Sequence, residues 1–140
     1  MPVYPSDEWL QSYRDAINQS ADFRIAATDW EGDVTFVIEA EPEKGLALDV
    51  WHWLDLSRGI CREAKTVTPD EGDRAAFVVR APYSRWKEVL LGRLEPTKAM
   101  VQGKLRLKGD LKKIDENKKA VAVLVSLAAE IPASFPDEGR

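Results

Sequence analysis

The residues able to do chemistry are few, and their spacing suits little of it. His52 is the single histidine and Cys61 the single cysteine among 140 residues. A cysteine nucleophile needs a base, and the base needs a third group to orient it. His52 and Cys61 facing one another across neighbouring strands would supply two of the three, and nothing in the chain supplies the last. One histidine and one cysteine cannot build a histidine metal cluster or a thiolate zinc site. Asp29, Glu31 and Asp33 alternate like the opening of a calcium loop, yet Val34 stands where the glycine belongs and Ala40 where the bidentate acid belongs. Gly103-Lys104 ends like a phosphate loop, but Leu105 replaces the hydroxyl residue and Lys98 the first glycine. Asp49 and Asp55 share a strand face roughly 20 Å apart by strand rise, too far for a glycosidase pair. The expectation is no metal, no cofactor and no catalytic group. His52 reads as a half-buried structural residue.

The elements that would position a site belong to one compact domain, since domains commonly run to about 100–150 residues. A chain that is 44% apolar and 31% charged is not a disordered one. Eight Gly and eight Pro are ordinary counts and exclude collagen-like or low-complexity chains. The start, Met1 to Glu8, lacks the basic and apolar runs of a secretion signal, and one cysteine agrees with a reducing compartment; the cytoplasm is the expected location. Ala120 to Ala129 is the most apolar stretch and falls far short of the ~20 helical residues that cross a bilayer.

The formal net charge of −4 is unevenly spread. Residues 1–50 carry eleven acids against three bases, and residues 98–119 carry eight bases against three acids. The basic stretch reads as a solvated face that also suits a transient contact with an anionic membrane surface. No nucleic-acid partner is expected.

Ser6 caps a first helix running to about Asn18, with Trp9, Tyr13, Ala16 and Ile17 on one face. A short second helix runs from Ser20 to Ala27, with Phe23 and Ala27 inward. Strands follow at Val34–Glu39, Leu46–Leu56, Ile60–Val67 and Ala76–Ala81, with a polar loop at Thr68–Asp73. Along Leu46–Leu56, His52 and Leu54 take one face, and Trp51 and Trp53 the other. Pro82 and Gly92 bracket one helix, Pro96 and Gly103 a shorter one. Lys104–Lys108 alternates as a fifth strand. Gly109-Asp110 opens one long last helix carrying Leu111, Ile114, Val121, Val125 and Ala128, and the tail after Pro132 reads as frayed. The class is α+β: a five-stranded, mostly antiparallel sheet covered by helices. Five Trp residues are many for this length, and filling an ordinary core accounts for them by composition alone.

Tyr83 to Asp110 reads YSRWKEVLLGRLEPTKAMVQGKLRLKGD. Leu91-Gly92, Pro96, Ala99, Gln102-Gly103-Lys104-Leu105 and Gly109-Asp110 match, in order and spacing, the signature of the sterol carrier protein 2 (SCP2) family. The stretch resembles that family, and the resemblance implies an SCP2-like domain over residues 28–131. Residues 1–27 would then be a helical extension packed on it, and 132–140 the frayed tail. It also implies an apolar tunnel between sheet and helices that holds a fatty acid, acyl-CoA or sterol-like molecule. Carried across by position, the lining draws on Trp86, Leu90, Met100, Val101, Leu105 and Leu107, with Gln102 orienting a polar head. The strand and helix pattern adds Phe36, Trp51, Trp53, Phe77, Leu124 and Val125. The expected function is non-enzymatic binding or transfer of a lipid or other apolar ligand. The alternative is an interaction or accessory module with a collapsed tunnel, and a homodimer suits either. A small enzyme acting on a lipid-like substrate through His52, Cys61 or a carboxylate is the weakest reading.

Overall fold

The computed structural model describes residues 1–138. The chain opens with helix α1 (Asp7–Gln19), whose N-terminus is capped where the Trp9 amide donates to Ser6 Oγ at 3.1 Å. Ser20 ends α1 and caps α2 (Ala21–Ala26) in the same way, by accepting from the Phe23 amide at 3.0 Å. Side-chain caps of this kind satisfy helix amides that have no intrahelical acceptor.

Five strands follow, β1 (Val34–Glu39), β2 (Val50–Ser57), β3 (Ile60–Thr66), β4 (Phe77–Pro82) and β5 (Arg106–Lys108). They form one sheet in the order β3-β2-β1-β4-β5. Three of its pairings are antiparallel, and β1–β4 is parallel. The parallel pair arises because the chain crosses from edge strand β3 through the single helical turn α3 (Pro69–Gly72) before entering β4 beside β1. Helices α4 (Tyr83–Leu90), α5 (Pro96–Val101), α6 (Leu111–Glu116) and α7 (Lys118–Glu130) complete the chain. With α1 and α2 they cover one face of the sheet and enclose the main core. No helix among the described residues is long and apolar enough to cross a membrane.

Four local expectations need correction. β2 begins at Val50, not Leu46, because Glu41 and Leu46 pair around the 3₁₀ turn Pro42–Lys44 and Asp49 Oδ1 accepts the Ala40 amide at 2.7 Å. That turn leaves Leu48 exposed. The polar loop at 68–73 contains α3, started by a reciprocal cap between Thr68 and Glu71. The single last helix is two, broken at Asn117 (φ −118°, ψ 33°), whose side-chain amide donates to Lys113 O at 2.8 Å. The tail through Glu138 is tied down rather than frayed. Tyr4 N donates to Ser134 O and Ser134 N to Pro2 O, both at 2.9 Å, and Asp137 accepts from the Tyr83 hydroxyl at 2.7 Å and pairs with Lys87 at 3.0 Å. Partial burial raises the Asp137 pKa, but these two donors outweigh it and hold the carboxyl below its usual range. Gly139 and Arg140, part of the expected frayed tail, lie outside the described residues.

Candidate functional site

Strand register decides which side chains meet the helices. Phe36 pairs with His52 and Val34 with Leu54 across β1–β2, while Val34 and Phe36 pair with Phe77 and Val79 across β1–β4. Side chains directly opposite one another share a face, so Val34, Phe36, His52, Leu54, Phe77 and Val79 all point toward the helices. α4 lays Trp86 over Phe36, edge to face with centroids 5.5 Å apart. Between this face and the helices lie two adjoining cavities.

The larger, about 60 Å³, is lined by apolar side chains alone. The sheet contributes Val34, Phe36, Leu56, Phe77 and Val79, and Leu105 comes from the bend just before β5. The helices contribute Phe23, Trp86, Pro96, Met100, Ile114, Ala120, Val121, Leu124 and Val125, and the loop before β1 contributes Trp30. The smaller, about 40 Å³, lies toward α1, between Trp9, Leu10 and Tyr13 on one side and Ile38, His52, Val89, Leu90 and Ala128 on the other, with Tyr4 also in its wall. Phe36, Trp86 and Val125 line both and form the partition between them.

The polar ends of three lining aromatics, Trp86, Trp30 and Tyr13, are taken up by backbone carbonyls. The Trp86 indole donates to Val37 O and the Trp30 indole to Gly32 O, each at 2.9 Å, and the Tyr13 hydroxyl donates to Leu124 O at 2.8 Å. Burial pushes the Tyr13 pKa well above its usual value, with the Cys61 and Tyr4 sites adding to the effect, so the hydroxyl stays protonated and donating.

Of the residues predicted to line a ligand site, Phe36, Phe77, Trp86, Met100, Leu105, Leu124 and Val125 border the larger cavity and Leu90 the smaller. Leu107 faces the core but borders neither cavity. Trp51 and Trp53 do not belong with them. They pair with Val37 and Thr35, which puts both on the opposite face of the sheet. There the Trp53 indole donates to Asp33 Oδ2 at 2.8 Å and Arg80 lies 5.4 Å from the Trp51 ring centre. Val101 is 70% exposed and Gln102 is exposed at the end of α5, where its backbone amide caps the helix. Neither side chain reaches a cavity, because Ala99, fully buried one turn earlier, sets the inward face of α5. Trp9, Tyr13 and His52 were missed as lining, although the helical stripe of Trp9 and Tyr13 was legible.

His52 and Cys61, weighed as a nucleophilic pair, are not brought together. Cys61 pairs with Leu56, and His52 with Thr66, so the two are not opposite one another. Burial pushes the Cys61 thiol up to about 11, with the Asp55 charge also raising it against the lowering effect of Arg14, so a nucleophilic thiolate is disfavoured. Glu31 pairs with Arg58 at 2.9 Å, and Asp33 accepts the Ala76 amide at 2.8 Å. Among the described residues no group of three or more His, Cys, Asp or Glu could hold a metal ion. Much of the basic stretch is paired: Arg106 with Glu39, Lys108 with Asp73, Lys112 with Glu116 and Lys118 with Asp115. Lys113 donates to Glu31 O and lies 5.0 Å from the Trp30 ring centre. Lys98, Lys104 and Lys119 form no ion pair among the described residues.

A five-stranded sheet with one helix-covered face, and apolar cavities under that cover, defines a class of domain built around an internal hydrophobic site. Residues 13–122 match the model of the SCP-2 sterol transfer family, and the chain belongs to that family. It is similar to a crystal structure of sterol carrier protein 2, with 38% identity, TM-score 0.82, and coverage of 91% of this chain and 98% of that one. A conserved hypothetical protein from Thermus thermophilus, solved in solution, is similar at 37% identity and TM-score 0.81, covering 92% of this chain and 90% of its own. Sterol carrier protein 2 from Yarrowia lipolytica in its apo form shares the fold at 16% identity and TM-score 0.59, over 86% of this chain and 89% of that one. No curated protein sequence matches this chain.

Proposed function

We propose that this protein is a cytoplasmic, non-enzymatic carrier that binds and transfers a lipid or similar apolar molecule between the sheet and its helices. The observation that carries the reading is the larger cavity, whose lining is wholly apolar. Membership of the SCP-2 sterol transfer family and the likeness to sterol carrier protein 2 support it. Fatty acids, acyl-CoAs and sterol-like molecules are the candidate ligands. Each buried methylene contributes ~0.8 kcal/mol, so an acyl chain needs no specific polar contact to be held.

A cavity of about 60 Å³ holds only a few waters, at ~10–15 Å³ each. A lipid therefore enters by displacing the cover and the Phe36–Trp86–Val125 partition. The segment that gives way is α5. It hangs between Gly92 and Gly103, both in the left-handed region (φ 74° and 77°), and buries only Ala99 fully. Exposed Leu91 and Val101, beside the unpaired Lys98 and Lys104, suit this same segment to an anionic membrane, where lipid exchange would occur.

Native mass spectrometry and lipid extraction of the purified protein, with titration of a fluorescent fatty acid, test the reading. A copurified lipid, or binding tighter than the millimolar range, is the expected result; the absence of both overturns it. Sedimentation with phosphatidylglycerol vesicles, lost in phosphatidylcholine and in the Lys98→Glu, Lys104→Glu double variant, tests the membrane contact. The small cavity also favours a second reading, an accessory module, alone or as a homodimer, whose hollow stays shut. That reading predicts no lipid and a stable protein complex in size-exclusion chromatography.

A further inference from the structure

Four buried side-chain nitrogens among the described residues have no hydrogen-bond partner: Trp9 Nε1, Arg14 Nε, His52 Nε2 and Arg85 Nη1. Arg14 and Arg85 border neither cavity, whereas Trp9 and His52 both line the smaller one. The two are 3% and 1% exposed. Their rings, held by α1 and β2, lie 12° from parallel with centroids 6.1 Å apart. The larger cavity has no such feature, because its indoles are satisfied by backbone carbonyls. Two residues that carry unpartnered polar atoms thus line one hollow whose other walls, the Tyr4 and Tyr13 hydroxyls apart, are apolar, and such atoms call for a specific partner.

The chemistry of that partner follows from the two nitrogens. An indole nitrogen can only donate. Burial holds the His52 pKa down to about 4, against the raising effect of the Asp7 charge, so the ring is neutral at pH 7. With its one proton on Nδ1, the neutral imidazole presents Nε2 as an acceptor. One donor and one acceptor together complement a hydroxyl, which does both. A carboxylate only accepts, carries a charge that a dry cavity penalises, and would sit within range of Asp7.

We infer that the smaller cavity seats the hydroxyl group of an apolar ligand, the oxygen accepting from Trp9 Nε1–H and the hydroxyl proton donated to His52 Nε2. The inference rests on the carrier reading above and gives its ligand a polar end and an orientation. The head lies at His52, and the chain passes Phe36 and Trp86 toward Met100 and Leu105.

The test titrates the nitrogen-15-labelled full chain with octanol, octane and octanoate at pH 7 and follows the Trp9 indole resonance. An apolar hollow without a polar partner takes octane more tightly than octanol, since the hydroxyl loses its water. The expected result is the reverse order: octanol at least as tight as octane, octanoate weakest, and the Trp9 N–H signal shifted by octanol alone. Trp9→Phe and His52→Phe should each weaken octanol about tenfold relative to octane. Should neither variant fold, the order of the three probes and the Trp9 signal in the unaltered protein still decide. Octane about tenfold tighter than octanol, octanoate tightest, or an unmoved Trp9 signal with octanol bound overturns the inference and leaves the carrier reading standing. If none of the three binds, both fall.

Discussion

Each face of the sheet carries two large aromatic side chains, Phe36 and Phe77 on one and Trp51 and Trp53 on the other, but they are covered differently. On one face Val37, Trp51 and Val78 pack beneath the single turn α3. Contact there is so close that a Cβ on Gly72 would lie 2.6 Å from the Trp51 ring. On the other face Phe36, Phe77 and Val79 meet the helices across two cavities. Polar groups follow the same division. Thr35 and His52 are the two buried polar residues among those described, one to each face. The Thr35 hydroxyl donates to Gly72 O at 2.8 Å, while His52 Nε2 has no partner. Aromatic content therefore does not mark the face that receives a ligand; incomplete cover and unmet hydrogen bonds do.

Four measurements would break or sharpen that contrast. Trp86→Ala removes the partition and the bond to Val37 O, and should cost about 3–5 kcal/mol in urea denaturation; a loss below about 1 kcal/mol would mean the helix-covered face is loosely held throughout. Gly72→Ala drives a methyl into Trp51 on the tightly packed face and should cost about 1–3 kcal/mol by the same assay. An unchanged midpoint would show that this face too has slack. The third effect is pH dependence. His52 has a folded pKa near 4 and an unfolded one near 6.5, so between these values only the unfolded chain takes up the proton. Stability should fall as pH drops from about 6.5 to 4, by about 1 kcal/mol per unit, and be insensitive to this group above that window. His52→Phe should flatten the slope; the same slope in both proteins would assign it elsewhere. Smallest is Ala120→Ile, which grows into the larger cavity. It should cost under about 1 kcal/mol while weakening a fluorescent fatty acid severalfold, and a penalty as large as that of Gly72→Ala would erase the distinction between the faces.

Most elements were legible because local chemistry fixes them. Ser6 and Ser20 cap helices, Pro82 and Pro96 open them, and Gly92 and Gly103 end them. The lining on β1, β4 and α7 followed from periodicity, and the motif from Tyr83 to Asp110 pointed to the family and, by position, to Trp86 and Leu90 on α4. Trp51 and Trp53 failed as lining because alternation tells which residues share a face, whereas cross-strand pairing tells which face the helices cover. Val101 and Gln102, carried across by position from the family resemblance, failed because a matching position in the motif does not fix which side of the six-residue α5 turns inward. His52 reads from sequence as half-buried and bland; its ring lies beside that of Trp9, 43 positions away, and no local pattern carries that.

Gly92 and Gly103 have one more consequence. Neither has a neighbouring atom within 4 Å of where a side chain would begin, so the joints they make are set by backbone torsion and owe nothing to the surrounding packing. The stretch between them is a replaceable panel. Substitutions at Pro96 or Met100 can reshape what the domain admits, and the sheet that frames the opening need not adjust.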